Sequence, residues 1–246
     1  MPYSQPPSSA ERALAVAVIL CAGQGTRMRA GRNKVLLTLG GEPLVLRTIA
    51  AFGRTDAIDE IVLVAHPHEV DALRALVAGP ALARVRDVIA GGATRHQSEA
   101  RALDQLRPRI ASGEIGVVAI HDGARPLVAP ADIAALVAAA RAQGGALLGA
   151  PVGPRTQLAR LAADGAITAL LPGVDLWRAQ TPQAFAARDL LAAFDAARDA
   201  GFEGTDTAAT YERLGHPVAL VAGAPANLKV TTPADLLRAE RLLRSD

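Results

Sequence analysis

Apolar and polar positions along this chain fall into patterns that predict strands and helices in alternation. Continuous apolar runs, which predict strands, lie at residues 14–20 and 60–65, within 85–92 and 114–128, and at 146–152. Between them, apolar residues recur at helical spacing in residues 43–54, 68–79, 94–106 and 130–143. Strands that are apolar along their whole length are typical of a parallel sheet covered by helices on both faces. The pattern therefore predicts an α/β fold with a doubly wound, mostly parallel sheet and flanking helices.

Residues 153–175 interrupt this alternation. Two short β-like pieces flank Asp164 and Gly165, a dipeptide that favours a β-hairpin turn. Because a lone hairpin needs a neighbour to bury its apolar face, we predict an inserted β-arm that contacts a second copy of the chain in a homodimer. Beyond it, helical spacing returns at residue 186, followed by predicted short strands at 217–223 and 227–230 and a closing helix at 233–245. We expect one domain over residues 13–246, after a disordered tail at 1–12.

Composition narrows the classes of function. The chain has 246 residues, of which 50% are hydrophobic, and a net charge of +2. Its arginines alternate with acids along the predicted helices, so solvated helix faces are a better interpretation than a nucleic-acid surface. The single Cys21 excludes an internal disulfide and a cysteine-based metal cluster. No signal peptide is recognisable, and no uncharged run reaches the roughly 18 residues of a membrane span. We expect a cytoplasmic protein without nucleic-acid or membrane partners.

Three polar turns follow predicted strands, at residues 21–27, 90–95 and 121–126. In doubly wound sheets, ligands bind outside the carboxyl ends of the strands. The three turns should therefore converge on one site.

The first turn has the composition of a phosphate-binding loop. Gly23 and Gly25 allow backbone N–H groups to approach an anion closely. The spacing matches neither a Walker A loop nor a G-x-G-x-x-G fingerprint, and such a turn can also be purely structural. The nearby cations Arg27 and Lys34 favour the functional interpretation, since they suit a polyphosphate and the charge that develops on phosphorus under attack.

The other two turns are ambiguous by themselves. Gly92 and Ser98 fit either a ligand site or a tight turn before a helix capped by Thr94. Asp122 ends a strand and is a candidate ligand for magnesium or a substrate hydroxyl. An ion pair between Asp122 and Arg125 is a comparably good interpretation.

Lysine is confined to two positions, Lys34 and Lys229, in a chain with 24 arginines. Lys229 stands between Leu228 and Val230, where an ammonium group is costly to bury unless it pairs with an anion. Lysine supplies a compact point charge that arginine does not. Both positions therefore suggest phosphate contacts.

Six segments in order carry a family resemblance: 22–37, 90–98, 121–126, 179–185, 205–215 and 227–236. Together they resemble the 2-C-methyl-D-erythritol 4-phosphate cytidylyltransferases of the non-mevalonate isoprenoid pathway, and the related ribitol-5-phosphate cytidylyltransferases, over about residues 14–243. The resemblance implies a Rossmann-like nucleotidyltransferase fold and a β-arm exchanged across a homodimer. It also implies an enzyme that uses Mg²⁺ to transfer CMP from CTP to a polyol phosphate with release of pyrophosphate.

The resemblance also implies roles for individual residues. Those expected to bind the nucleotide are Ala22, Gly23, Gln24, Gly25, Gly92, Arg95, Ser98 and Asp122, with Asp122 also at the metal. Those expected to hold the acceptor are Asp122, Arg125, Thr156, Thr181 and Lys229. The catalytic cations would be Arg27, Lys34 and Lys229. No protein nucleophile is needed, because the acceptor's own phosphate oxygen attacks and positioning supplies much of the catalysis.

The acceptor end departs from the family pattern. Gly173 stands where the family has an arginine, and Arg155 or Arg178 could replace it, although neither aligns. Methylerythritol phosphate is therefore the first expectation for the acceptor, and ribitol-5-phosphate or another sugar or polyol phosphate is the alternative. A non-catalytic nucleotide-binding homologue is a third hypothesis, which the four residues Arg27, Lys34, Asp122 and Lys229 argue against. A dinucleotide-dependent dehydrogenase is disfavoured, because no ribose-binding acid follows the second strand.

Overall fold

A seven-stranded sheet organises the part of the chain that the computed structural model describes, residues 12–23, 33–79, 82–153, 156–172 and 176–244. From one edge to the other, its strands are β11 (Ala219–Ala222), β7 (Gly145–Pro151), β10 (Trp177–Ala186), β6 (Ile115–Asp122), β1 (Leu14–Cys21), β4 (Glu60–Ala65) and β5 (Val85–Ala90). Neighbouring strands are parallel, except that β10 is antiparallel to both β6 and β7. The predicted mostly parallel α/β sheet is confirmed, and the reversed strand β10 was not predicted.

Helices cover both faces of this sheet. They are α1 (Leu44–Gly53), α2 (Val70–Val77), α3 (Arg95–Ala111), α4 (Pro130–Gln143), α5 (Ala187–Asp199), α6 (Thr207–Glu212) and α7 (Pro233–Leu243). Strand β1 shows why both faces must be covered, since its side chains alternate between two buried clusters. Ala17 and Ile19 pack in the cluster that contains residues of α1 and α4, whereas Val16 and Val18 pack with residues of α3 and α5. No helix in the described ranges is long and apolar enough to cross a membrane.

One predicted helix boundary and one predicted strand were wrong. Helix α3 continues to Ala111 instead of ending near residue 106, because Ile110 extends the buried stripe of Leu103 and Leu106. Residues 227–230, predicted as a strand, form a loop in which the Val230 N–H donates to the Ala124 carbonyl at 2.8 Å.

A hairpin is present within the predicted arm. Strands β8 (Gln157–Leu161) and β9 (Ile167–Pro172) pair in antiparallel fashion as a separate two-stranded sheet. A smaller hairpin joins β2 (Thr38–Leu39) and β3 (Glu42–Pro43). Leu161, Ile167 and Leu170 of the larger hairpin are exposed by 59%, 62% and 61%. The dimer contact and the single-domain division stay predictions, and the predicted tail lies outside the described residues apart from Arg12.

Candidate active site

A cleft of about 560 Å³ lies at the carboxyl ends of four adjacent strands, β6, β1, β4 and β5. Each strand contributes the residues that follow it or end it: Ala22 and Gly23 after β1, His66 after β4, Gly91 and Gly92 after β5, and Asp122 at the end of β6. The described parts of the three polar turns thus meet, as expected for parallel strands whose carboxyl ends share one edge. Gln24, Gly25 and Arg27 lie outside the described residues.

Both lysines of the chain line this cleft. Lys34 begins a short 3-10 helix, Lys34–Leu36, whose N-cap residue is Asn33. The buried Asn33 amide donates to the Cys21 carbonyl at 2.7 Å and to Glu69 Oε2 at 2.6 Å. The segment that carries Lys34 is therefore fastened to the end of β1, close to the glycine turn.

Asp122 is a buried carboxylate surrounded by cations. Lys229 Nζ lies 2.9 Å from its Oδ2, and Arg125 Nε lies 3.6 Å from the same oxygen. Arg95 Nε lies 3.6 Å from Oδ1. Burial alone would raise the pKa of Asp122, but Lys229 and Arg95 outweigh it and hold that pKa well below its usual range. These contacts favour the ionised form of Asp122, and the local pair with Arg125 exists beside the closer contact with Lys229.

The loop that carries Lys229 is fixed by backbone contacts. Val230 donates to the Ala124 carbonyl, in the turn after β6, and Arg125 Nη1 donates to the Asn227 carbonyl at 2.8 Å. Arg125 is partly buried and does not line the cleft. Its contacts with the Asn227 carbonyl and with Asp122 indicate that it holds the Lys229 loop next to Asp122.

The glycine turn after β5 is held by the start of α3. Gly92 N–H donates to Ser98 Oγ at 3.1 Å, and that hydroxyl donates to the Thr94 carbonyl at 2.9 Å. Thr94 also caps α3, as the sequence predicts. A Cβ atom at Gly91 would lie 2.8 Å from the Ala22 Cβ and from Ser98 Oγ, so two loops of the cleft approach each other too closely for any side chain there.

Thr181 is buried behind Asp122 and does not line the cleft. Asp122 N–H donates to its hydroxyl at 3.0 Å, and the hydroxyl lies 3.2 Å from His121 Nδ1. His121 Nε2 lies 3.3 Å from the Arg125 carbonyl, which can only accept, so Nε2 carries the proton and Thr181 donates to Nδ1. Burial lowers the pKa of His121 to about 3, consistent with a neutral ring. The Thr181 hydroxyl is thus engaged in orienting the Asp122 backbone.

Comparison with known proteins identifies the family. The family model described as IspD, 2-C-methyl-D-erythritol 4-phosphate cytidylyltransferase, matches residues 15–245. The 2-C-methyl-D-erythritol 4-phosphate cytidylyltransferase of Geobacillus kaustophilus is 40% identical over 229 residues, which are 93% of this chain and 96% of the relative. The chain belongs to the 2-C-methyl-D-erythritol 4-phosphate cytidylyltransferase family. The relative of the same name from Geobacter metallireducens is 39% identical over 93% of this chain and 97% of its own length.

Solved structures of this family agree with the fold. The 2-C-methyl-D-erythritol 4-phosphate cytidylyltransferase of Thermus thermophilus superposes with a TM-score of 0.71 at 31% identity, covering 92% of this chain and 98% of its own. The 4-diphosphocytidyl-2C-methyl-D-erythritol synthase of Anaerococcus prevotii gives a TM-score of 0.80 at 24% identity, over 94% and 96% of the two chains, and supports the fold alone. The family predicted from the six sequence segments is confirmed.

The residues that the family resemblance implies divide into three groups. Those that line the cleft are Ala22, Gly23, Lys34, Gly92, Arg95, Ser98, Asp122 and Lys229. Arg125, Thr181 and Thr156 do not line it, and the Thr156 hydroxyl donates instead to the Val152 carbonyl at 3.0 Å. Gln24, Gly25 and Arg27 fall outside the described ranges. The role of each residue stays a prediction.

The cleft residues that the sequence analysis missed include His66, Pro67 and Arg101. His66 follows β4 at its carboxyl end, so the rule that located the other turns applies to it as well. Arg101 Nη1 donates to the Gly91 carbonyl at 2.6 Å. Its spacing from Thr94 and Ser98 places it on the same face of α3, which is a signal that the sequence does contain.

Proposed function

We propose that this chain is a CTP-dependent cytidylyltransferase that converts 2-C-methyl-D-erythritol 4-phosphate to its cytidyl diphosphate derivative in the non-mevalonate route to isoprenoids, releasing pyrophosphate. The observation that carries the proposal is the meeting of Lys34, Lys229 and Asp122 in one cleft of a chain that belongs to this family. That arrangement offers two fixed ammonium groups for two phosphate-bearing substrates.

The nucleotide is proposed to bind along β1, β5 and the start of α3. Backbone groups of Ala22 and Gly23 and the ammonium of Lys34 would contact the triphosphate, with Gln24, Gly25 and Arg27 completing that wall. The cytosine and ribose would lie against the turn at Gly92, near Ser98 and Arg95. This placement is supported by the lining of the cleft, in which Ala22 and Gly23 lie near Gly91 and Gly92 of the second turn.

The proposed reaction is a direct displacement. An oxygen of the acceptor's phosphate forms a bond to the α-phosphorus of CTP, and the bond from that phosphorus to the bridging oxygen of pyrophosphate breaks. Lys34 and Arg27 would stabilise the negative charge that develops on the α-phosphate. Lys229 would hold the acceptor phosphate, since its ammonium has three donors and the described contacts use one of them on Asp122. Thr181 and Arg125 would act there by holding Asp122 and the Lys229 loop.

A divalent metal, proposed as Mg²⁺, fits the donor set of this cleft. Across the described ranges, no group of three or more His, Cys, Asp or Glu side chains could hold a metal ion by itself. Mg²⁺ typically uses one or two carboxylates together with substrate phosphates and water. Asp122 would supply the carboxylate, and the ion when bound would neutralise charge on the triphosphate. Arg95 Nε is the described contact of Asp122 Oδ1, and at 3.6 Å it leaves this oxygen accessible to a ligand.

We also propose a homodimer formed through the arm at residues 153–175. Support comes from the exposed apolar side chains of β8 and β9, which need a partner surface. Of the residues that could replace the family's arginine at Gly173, Arg155 lies outside the described residues and Arg178 is an exposed residue of β10. A cytoplasmic location without nucleic-acid or membrane partners stays a prediction.

The decisive experiment measures pyrophosphate release from CTP and MgCl₂ with separate acceptors. We expect turnover with 2-C-methyl-D-erythritol 4-phosphate and at most slow turnover with ribitol 5-phosphate. The reverse preference would select the alternative acceptor. No release with any polyol or sugar phosphate would contradict the enzymatic proposal and favour a nucleotide-binding homologue, which CTP binding by calorimetry would then detect.

A further inference from the structure

Glu99 of α3 is a buried charged residue that the proposed reaction does not use. Its exposed fraction is 1%, and it does not line the cleft. Burying a carboxylate is costly unless cations or hydrogen-bond donors satisfy it. Glu99 has both, since it pairs with Arg95 one helical turn before it and accepts a hydrogen bond from Thr207 Oγ1 at 2.9 Å.

Arg95 is shared between this buried carboxylate and the cleft. Its Nη1 pairs with Glu99 and lies 3.4 Å from the Thr207 hydroxyl, whereas its Nε faces Asp122 Oδ1. The Nε–Oδ1 distance of 3.6 Å is longer than a hydrogen bond. Glu99 and Asp122 therefore lie at opposite ends of one guanidinium, and the closer contact is with Glu99.

The pairing of Arg95 with Glu99 matters for Asp122 because the two carboxylate oxygens of Asp122 have different surroundings. Oδ2 is paired with Lys229 at 2.9 Å, so Oδ1 is the oxygen left for a ligand within the described surroundings. An arginine without a competing partner forms short, often bidentate hydrogen bonds to a nearby carboxylate. Without Glu99, Arg95 would be expected to close on Asp122 and cover Oδ1.

We propose that Glu99 is a positioning residue that tethers Arg95 on the α6 side of the cleft and so keeps Asp122 Oδ1 open to the metal-nucleotide complex. The inference rests on the proposed function and deepens it. The tether also fixes the guanidinium edge that lines the cleft, so the same contact sets the orientation of Arg95 toward the nucleotide.

The test is the variant Glu99→Gln, assayed at pH 8, where the wild-type carboxyl with its pKa of about 7 is ionised. The substitution keeps the size of the side chain and its capacity to accept from Thr207 but removes the charge. We expect the KM for CTP and the Mg²⁺ concentration for half-maximal rate each to rise about tenfold or more, the usual scale for loss of a residue that orients a ligand-binding group. The KM for the acceptor should change less than twofold.

The control Asp104→Asn removes an arginine-paired acid from the same helix. Asp104 lies outside the cleft, and its Oδ1 is 2.7 Å from Arg107 Nη2. It should leave both KM values unchanged. Thr207→Val should lower the melting temperature without a comparable rise in the KM for CTP, because the Arg95–Glu99 pair remains.

A double-mutant cycle with Arg95→Ala separates a tether from a general structural effect. If Glu99 acts through Arg95, Glu99→Gln should add no further loss to Arg95→Ala. Additive losses would overturn the proposal, as would a wild-type KM for CTP in a folded Glu99→Gln variant. Should that variant not fold, Arg95→Lys serves instead, since a lysine lacks the two-ended fork, and an unchanged KM for CTP would overturn the tether. An inactive wild-type enzyme would contradict the proposed function itself.

Discussion

We propose that single residues carry the chemistry of this cleft, and the two lysines are the clearest example. A lysine ammonium is a compact charge, which suits a phosphate whose geometry changes during transfer, whereas arginine suits fixed planar partners. Lys34 follows the N-cap residue Asn33 on the side of the cleft proposed for the nucleotide. Lys229 is held by Asp122 in a loop that is hydrogen-bonded to the turn after β6. Their different anchors indicate different substrates for the two charges.

Removing either ammonium should therefore impair turnover in different ways. We expect Lys34→Ala and Lys229→Ala each to lower kcat/KM at least about 100-fold, the scale for one electrostatic donor at a transition state. Lys34→Ala should raise the KM for CTP, and Lys229→Ala the KM for the acceptor. Steady-state pyrophosphate release measures both, with Arg238→Ala on the exposed face of α7 as the control cation. A near wild-type rate in either lysine variant would contradict its role.

We also expect Glu99 to make the free energy of unfolding depend on pH. Burial raises the pKa of Glu99 to about 7, against the opposing effect of Arg95 and of the Thr207 hydroxyl, with Asp122 and Asp206 adding to the rise. A carboxyl group whose pKa is higher in the folded state is favoured there in its protonated form, so its contribution is complete below about pH 4.5 and is lost as pH rises through 7. A salt-bridged surface acid has the opposite pH dependence, since its contribution to the free energy of unfolding increases as pH rises.

Glu99→Gln should remove this pH dependence. Between pH 5 and pH 8, its free energy of unfolding should rise relative to that of the wild type, by on the order of 2 kcal/mol. Urea denaturation at the two pH values measures the difference, with Asp104→Asn as the control. An equal change in both proteins would contradict the raised pKa of Glu99.

At the scale of elements, the glycine turn after β5 shows how a short segment positions several groups. Gly91 lies against Ala22 of the first turn, and its carbonyl accepts from Arg101. Gly91→Ala should therefore push the two turns apart, lowering the free energy of unfolding by about 1–3 kcal/mol and raising the KM for CTP. Thermal melts and kinetics measure the two effects. Gly53→Ala is the matched control, since no atom lies within 4 Å of its added Cβ, and equal behaviour of the two variants would contradict the close approach.

Elements with a clear apolar period could be predicted from the sequence, and those stabilised by distant polar contacts could not. Strand β10 is buried from Gln180 to Phe185, but its side chains there include Gln183, which bonds to Asp206 and to the backbone of Ala208. Hydropathy does not reveal such a strand. Conversely, Val230 is apolar because it packs with Leu39 and Leu44, not because it pairs in a sheet. This explains why a loop resembled a strand.

The site likewise has residues that the sequence pattern predicts and residues whose roles depend on distant contacts. Parallel strands place their carboxyl ends at one edge, so the convergence of the turns, including Asp122, was predictable. Glu99 was not, because its partner Thr207 lies 108 residues away in the sequence. Thr181 was assigned to the acceptor from the family pattern, while its engagement with His121 and Asp122 depends on the fold of β6 against β10.

At the scale of the whole molecule, the proposed dimer depends on the arm. Leu161, Ile167 and Leu170 expose apolar surface on a hairpin outside the central sheet, and burying apolar surface contributes about 25 cal/mol per Å². We therefore expect the wild type to be a dimer by size-exclusion chromatography with light scattering, and Leu161→Glu/Leu170→Glu to be a folded monomer. Leu237→Glu places one such charge at a side chain 58% exposed on α7 and should stay dimeric. A monomeric wild type, or a dimeric arm variant, would show that the arm does not form the contact.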